Sequence, residues 1–561
     1  MTTPSDLAAP TDRASASPAD TPSAQSPLEI SARFAAVGMI LLLAVQGGLL
    51  AKQIAFSRIS TGDACGFYLP LAKAYAQGSL AVSQHPMIPP LYPLATGLLS
   101  RHCDFAEDPQ EFAGQLISAA STLLLTVCVY VLGRTLVSRR VGLASAALTA
   151  VNPWMTHFGG SVGPEMPYAV FVAGSAIFLL TYSRRPSLWT AMGAGVTTGL
   201  AALTRSEGIF LVPLAAGVML AVAVAGLVKG RRFRWQAVLV PIVHVLVLVG
   251  VVAGTWWPRT EYMREKIGYP VLDVRLVQLI PGLPAADRQW WQKANQVGQA
   301  GPKAPRESRN IDSESKSLFM VISPVTWVLA GVWLFGRRRM PRLGIGQLIL
   351  LAIIVGELVM VAPVKLDRRY VATVAGLAQI WGGLGMVVLA ERLRDVPGRL
   401  SEVGRSLGLQ VLSMSLLLAG LACWSLLSEN VGVRHGELRS LGREIRRQGG
   451  PGRVILAGTP EPIYYADGKL VRVAESLPAG QAVSREQLLR ICQEWSVDYI
   501  VVRSRESWCP WLGDEISSGR LPRGRTMVMQ DSSGKKSGRI TSYLIDARNL
   551  FALPTTSLPA P

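Results

Sequence analysis

Apolar residues in this chain fall into blocks of about 17 to 23, each closed by a short polar or basic stretch. That is the length of helix needed to cross the hydrocarbon core of a bilayer. The repeated pattern excludes an ordinary cytosolic enzyme. Composition agrees, because half of the residues are hydrophobic and only 17% are charged, against about 25% charged in a typical soluble domain. The formal net charge of +19 is then a weak pointer to nucleic acid, since membrane proteins collect Lys and Arg in their cytoplasmic loops. The reading carries no nucleic-acid partner.

Eleven candidate spans run at about 34–51, 112–133, 141–158, 165–182, 188–204, 208–228, 235–257, 318–336, 344–363, 371–390 and 407–428. Basic clusters follow the even-numbered ones: Arg134/Arg139/Arg140, Arg184/Arg185, Lys229/Arg231/Arg232/Arg234, Arg337/Arg338/Arg339/Arg342 and Arg392/Arg394/Arg399/Arg405. All five land on one side of the membrane if the N-terminus is cytoplasmic. The expected protein is a multi-pass α-helical protein of the cell (inner or plasma) membrane with its C-terminus outside. Residues 1–32, poor in large apolar side chains, are expected to be a disordered cytoplasmic tail. Residues 33–428 form the transmembrane domain, with outer loops at 52–111 and 258–317. Residues 429–561 are long enough to fold as a small extracytoplasmic α/β domain. In that segment "RVILAG" at 453, "LVRV" at 470, "DYIVVRS" at 498 and "TMVM" at 526 read as strands. "SREQLLRICQEWS" at 484 reads as a helix with a Ser cap.

Six cysteines divide the same way. Cys128 and Cys423 sit inside spans, Cys65 and Cys103 share the first outer loop, and Cys492 and Cys509 share the outer domain. An oxidising exterior permits a bridge within each outer pair, but spacing does not fix the pairing. No CxxC, HExxH or His-rich tract is present, so no zinc site is expected and no cofactor is required, with divalent-metal dependence left open.

Ionisable groups at span edges are costly to keep there and are candidates for function. Asp63 heads "DACGFYLPLAKAYAQGSL" just beyond the first span, where it reads either as a helix cap or as a working carboxylate beside Tyr68. The loop continues as "HPMIPPLYPLATGLL", whose prolines break helix and whose apolar content predicts a path lying in the interface or packed back on the bundle, carrying Tyr92. Glu165 opens the fourth span, where the helix dipole favours a carboxylate. Arg205 and Glu207 share the outer turn after the fifth span. Residues two apart do not face each other on a helix, so they are not expected to be a simple surface pair, although anchoring in headgroups would explain both. "PVKLDRRYVATVAG" places Lys365, Asp367, Arg368, Arg369 and Tyr370 between the ninth and tenth spans, on the side where basic residues are usually sparse.

All of these groups are expected at one membrane face. Carboxylates and cations beside an apolar, Pro-bent loop suit a lipid with an anionic head together with a neutral, hydroxyl-bearing partner. The first-loop Asp63 followed by "PPLYPL", the Glu165 that starts the fourth span and the "LTRSEG" that closes the fifth resemble the integral-membrane C-type (GT-C) glycosyltransferases. The similarity is to the family-39 and RgtABCD-like branch, with protein O-mannosyltransferases and the lipid A aminoarabinose transferase as relatives, and it spans about 34–390. One difference is that the family's usual adjacent pair of first-loop acids is here Asp63-Ala64. The resemblance implies a GT-C-like transmembrane domain and inverting transfer of a sugar from a polyprenyl-phosphate donor to a lipid, glycan or protein acceptor outside the membrane. Asp63 and Glu165 would then be catalytic. Tyr68, Tyr92, Arg205, Glu207, Lys365, Arg368, Arg369 and Tyr370 would bind the lipid phosphate or sugar, with membrane lipids as surroundings. Absence of a Gly-rich phosphate loop fits a donor that is not a nucleotide. The alternatives are a transporter or flippase for a lipid-linked or anionic substrate, and a non-catalytic membrane scaffold.

Overall fold

The computed structural model describes residues 30–56, 63–79, 88–229, 235–267, 318–335, 344–361, 368–394, 436–472, 483–503, 509, 511–512, 526–530 and 541–547. Most of the N-terminal tail, most of the second loop, the eleventh expected span, Cys423, Lys365 and Asp367 lie outside these residues. Long helices account for most of the remainder: α1 (Ala32–Phe56), α4 (Pro109–Leu136), α7 (Glu165–Arg184), α9 (Leu211–Lys229), α10 (Trp235–Ile267) and α13 (Arg368–Arg394). Between them come α2 (Leu69–Ala76), α3 (Leu91–Ser100), α5 (Arg139–Ala150), α6 (Pro153–Gly159), α8 (Leu188–Thr204), α11 (Pro324–Phe335) and α12 (Ile345–Val361). Six of the described helices are long and apolar enough to cross a membrane, judged by length and composition. The outward faces carry Val37, Ile40 and Leu41 on α1, Leu239 and Leu246 on α10 and Val359 on α12, all exposed. An apolar belt of that extent has a favourable environment only in lipid. The molecule is a membrane protein.

The expected third span is not one helix. It breaks at Asn152-Pro153 into α5 and α6, because Pro153 has no N–H to continue the first helix and is preset for the start of the second. Asn152 caps the break: its Oδ1 accepts from the N–H of Trp154 at 2.9 Å, and its Nδ2 donates to the Val321 carbonyl at 3.1 Å. Likewise α11 starts only at Pro324, after Ser323 in the left-handed region at φ 84°. Of the six long apolar helices, α13 is the most enclosed. Its Gly385 sits against the Leu329 backbone of α11, where a Cβ would lie 1.7 Å from the carbonyl oxygen, so only glycine allows these two helices to approach so closely.

The Pro-bent loop packs back on the bundle. After Pro90 it forms α3, and Tyr92 at its start is buried, with its hydroxyl donating to the Gly114 carbonyl of α4 and accepting from the Gly163 N–H. A Cβ on Gly97 would lie 2.4 Å from the Ala72 carbonyl, which fixes α3 close against α2.

The C-terminal part is a five-stranded sheet of order β2-β1-β3-β5-β4, built from β1 (Val454–Ala457), β2 (Lys469–Arg472), β3 (Tyr499–Arg503), β4 (Thr526–Gln530) and β5 (Thr541–Asp546). The first three strands are parallel, and β5 runs antiparallel to both β3 and β4. Sequence reading found four strands and missed β5. Alternate residues point to opposite faces: Leu456, Ile500 and Ile545 pack against α16 (Arg485–Glu494), while Ile455, Val501 and Leu544 pack against α14 (Gly436–Gly449) and α15 (Glu461–Ala466). Ser484 and Gln487 cap α16 reciprocally. The described cysteines Cys65, Cys103, Cys128, Cys492 and Cys509 are thiols rather than disulfides.

Candidate active site

The chain enters the site through a single π-helical turn, Ala64–Tyr68, headed by Asp63. A capping aspartate would bond the first backbone N–H groups of its turn. Asp63 makes no such bond; its Oδ2 accepts instead from Nη1 of Arg369, 306 positions away at the start of α13. This ion pair is open, with Asp63 about half exposed.

A second, buried pair lies nearby. Arg205 follows α8 in extended conformation (φ −148°, ψ 135°) and leads into a 3₁₀ turn, Ser206–Phe210. With both side chains largely buried, Arg205 and Glu207 are not a simple surface pair, and the extended backbone lets Arg205 reach Glu207, Nη2 to Oε1 at 3.5 Å. Its Nη1 also donates to Glu165 Oε1, at 3.2 Å, at the first residue of α7. Burial alone would pull the Arg205 guanidinium down, but Glu207 and Glu165 outweigh it and hold it well above its ordinary value, firmly charged.

Tyr370 joins the two pairs. The Arg205 guanidinium lies 4.6 Å from the centre of its ring and that of Arg369 lies 5.1 Å from it. Such cation–ring contacts hold two like charges close together while partly compensating their repulsion. Tyr68 faces the same space: burial, and then Glu165, raise its hydroxyl above the usual value, with Arg205, Asp63 and Arg369 also acting on it. Its ring meets Tyr92 edge-on at 5.6 Å.

Arg205, Glu207, Glu165, Asp63, Arg369, Tyr370 and Tyr68 therefore converge. Arg368, beside Arg369, is exposed, and its guanidinium lies 4.8 Å from the centre of the Trp154 ring. Tyr92 supports the site from behind, its hydroxyl occupied by backbone. Sequence reading passed over Glu357. This carboxylate is buried within α12 and accepts from the Tyr168 hydroxyl at 2.8 Å, and Tyr168 in turn lies 5.8 Å from Arg205. The signal was available: an acid inside the apolar run "IIVGELVMV" is a costly placement. Among the described residues, no three His, Cys, Asp or Glu side chains gather as a metal-ligand set.

Residues 89–257 match the family model described as dolichyl-phosphate-mannose-protein mannosyltransferase, a stretch that contains Glu165 and Arg205. Among solved structures, the Archaeoglobus fulgidus oligosaccharyltransferase superposes with a TM-score of 0.55 at 12% identity, covering 86% of this chain and 73% of that one. ArnT from Cupriavidus metallidurans superposes with a TM-score of 0.54 at 12% identity, covering 92% of this chain and 99% of that one. The chain shares its fold with these two membrane proteins, and its residues 89–257 resemble the mannosyltransferase family. A second ArnT structure, bound to undecaprenyl phosphate, has a TM-score of 0.52 at 14% identity and covers 95% of this chain and 100% of that one. The likeness in fold to ArnT covers enough of this chain to take in both the membrane helices and the C-terminal sheet. A search of curated proteins finds no match to the sequence.

Proposed function

We propose that the protein is a membrane glycosyltransferase that moves a sugar from a polyprenyl-phosphate donor to a hydroxyl-bearing acceptor on the extracytoplasmic side. The observation that carries this reading is the pair of guanidiniums gathered at the Tyr370 ring, one buried with Glu165 and one open with Asp63. A GT-C fold and the undecaprenyl phosphate and dolichol phosphate bound by two of the structural neighbours support a lipid-phosphate donor.

In this reaction the acceptor oxygen attacks the anomeric carbon as the bond from that carbon to the phosphate oxygen breaks. The acceptor proton passes to Asp63, and the lipid phosphate leaves with one more negative charge. Asp63 keeps Oδ1 for the acceptor while Arg369 holds Oδ2. Arg369 and the guanidinium donors of Arg205 not engaged by carboxylates stabilise the charge gained by the leaving group, which fixed donors do better than water. Glu165 holds Arg205 in place and faces the sugar. Attack from the side opposite the phosphate inverts the anomeric centre. The N-terminus and the basic clusters after the even-numbered spans are cytoplasmic, and residues 429–561 form an outer domain.

The test is transfer of radiolabelled sugar from a panel of polyprenyl-phosphate sugars by purified protein in lipid. Asp63→Asn keeps the shape of the side chain and is expected to lower turnover about a hundredfold or more without lowering thermal stability. Movement of donor across the membrane without bond cleavage would sink the transferase reading in favour of transport. Inert wild-type protein would leave the scaffold.

A further inference from the structure

The turn that presents Asp63 is held from the C-terminal sheet unit as well as from the membrane helices. The Cys65 thiol, two residues on, is buried in one small cluster with Tyr465 of α15, whose hydroxyl acts on it. That hydroxyl donates to Glu111 Oε1 of α4 at 3.1 Å. Tyr464 and Tyr465 pack edge to face at 5.2 Å and join Ala64, Leu69, Tyr92 and Val162 in one small apolar cluster. A Cβ on Gly66 would lie 3.4 Å from the Pro460 ring, so this ring sits close over the turn.

A basic face of α14 fastens the same unit to the start of α4. Arg439 reaches Asp108 at 2.8 Å and Glu111 at 3.2 Å, with its guanidinium 5.1 Å from the Tyr465 ring. Arg443 reaches Glu107 and Asp108, each at 2.7 Å. Lys73 of α2 pairs with Asp467 at the end of α15. The more open of these pairs, Lys73 with Asp467 and Arg443 with Glu107, contribute little each. Glu111, however, is buried and holds both Arg439 and Tyr465, which makes a directional connection.

Resting on the transferase reading, we propose that Tyr465 is a positioning residue: through Cys65 it fixes the Ala64–Tyr68 turn, so that the C-terminal sheet unit sets the placement of Asp63 against Arg369. The geometry gives the unit this role because its contact falls on the turn itself, two residues from the carboxylate. A base displaced by about an ångström loses a large part of its effect on the chemical step, whereas binding of the lipid donor by the arginines is spared.

The experiment uses the full chain in lipid, with two readouts. One is kcat and donor KM for Tyr465→Phe and Tyr465→Ala; the other is the rate at which native protein is alkylated at Cys65 by N-ethylmaleimide, resolved by peptide mass. Tyr465→Phe keeps the ring and removes the hydroxyl. It is expected to lower kcat about tenfold or more with donor KM unchanged and thermal stability near wild type. Tyr465→Ala is expected also to speed alkylation of Cys65 about tenfold or more. Wild-type kcat in both variants overturns the proposal, whatever happens to Cys65. So does a loss of activity that only follows the loss of folded protein. If wild-type protein transfers no sugar, the transferase reading falls and alkylation alone decides the contact: faster labelling in Tyr465→Ala upholds the hold on the turn, and unchanged labelling overturns it.

Discussion

Arg205 and Arg369 share a ring but not an environment, and substitutions at the two positions are expected to fail differently. Arg205 is enclosed with two carboxylates, so Arg205→Gln leaves Glu165 and Glu207 without the cation they share. Breaking a buried pair from one side costs about 3–5 kcal/mol, and the variant should unfold at a clearly lower temperature. Arg369 is open to solvent with Asp63, where an ion pair contributes about 1 kcal/mol or less, so Arg369→Lys should fold as wild type. Its guanidinium fork is nevertheless what a phosphate needs, and turnover should fall about tenfold or more. Melting curves and donor turnover measured on both variants check the contrast. Equal turnover in Arg369→Lys and wild type would reduce this arginine to a headgroup anchor.

Elements announced themselves in the sequence where the cause was local. Ser484 before "REQLLRICQE" capped a helix as its side chain requires, and the long apolar runs became helices with bounds close to those expected. What stayed hidden was set by distant partners. Asp63 looked like a cap because nothing within its own turn reveals Arg369, 306 positions away. Strand β5, "TSYLID", needs β3 and β4 on either side to be more than a short polar-apolar alternation. The broken third span lies between these cases: Pro153 predicts a break, but only the fold shows that Asn152 ties it to the Val321 carbonyl before α11. Asn152→Ala removes both the cap and that donor. It should cost about 1–2 kcal/mol for the cap, with more for the carbonyl left buried, read as a lowered midpoint of thermal unfolding. An unchanged midpoint would mean that Pro153 alone makes the break.

At the scale of the whole molecule, the charge pattern and the site test one another. Counting spans from a cytoplasmic N-terminus puts the end of α1, the start of α7, the turn after α8 and the start of α13 on the outer side. Asp63, Glu165, Arg205 and Arg369 come from those four places and meet in one cluster. A miscounted span between any two of them would have sent one to the opposite face. The C-terminal sheet packs on the same side, through Tyr465 against Glu111 and Lys73 against Asp467. Orientation is therefore one joint prediction for the site and the sheet. Exposed Glu494 at the end of α16 and exposed Pro186 between α7 and α8 mark the two sides. A membrane-impermeant maleimide applied to intact cells should label Glu494→Cys and leave Pro186→Cys unlabelled until the membrane is opened. The reverse pattern would place Asp63 and both arginines in the cytoplasm and remove the basis for an extracytoplasmic acceptor. Labelling of both positions would instead show that a span has been miscounted between the sheet and α7.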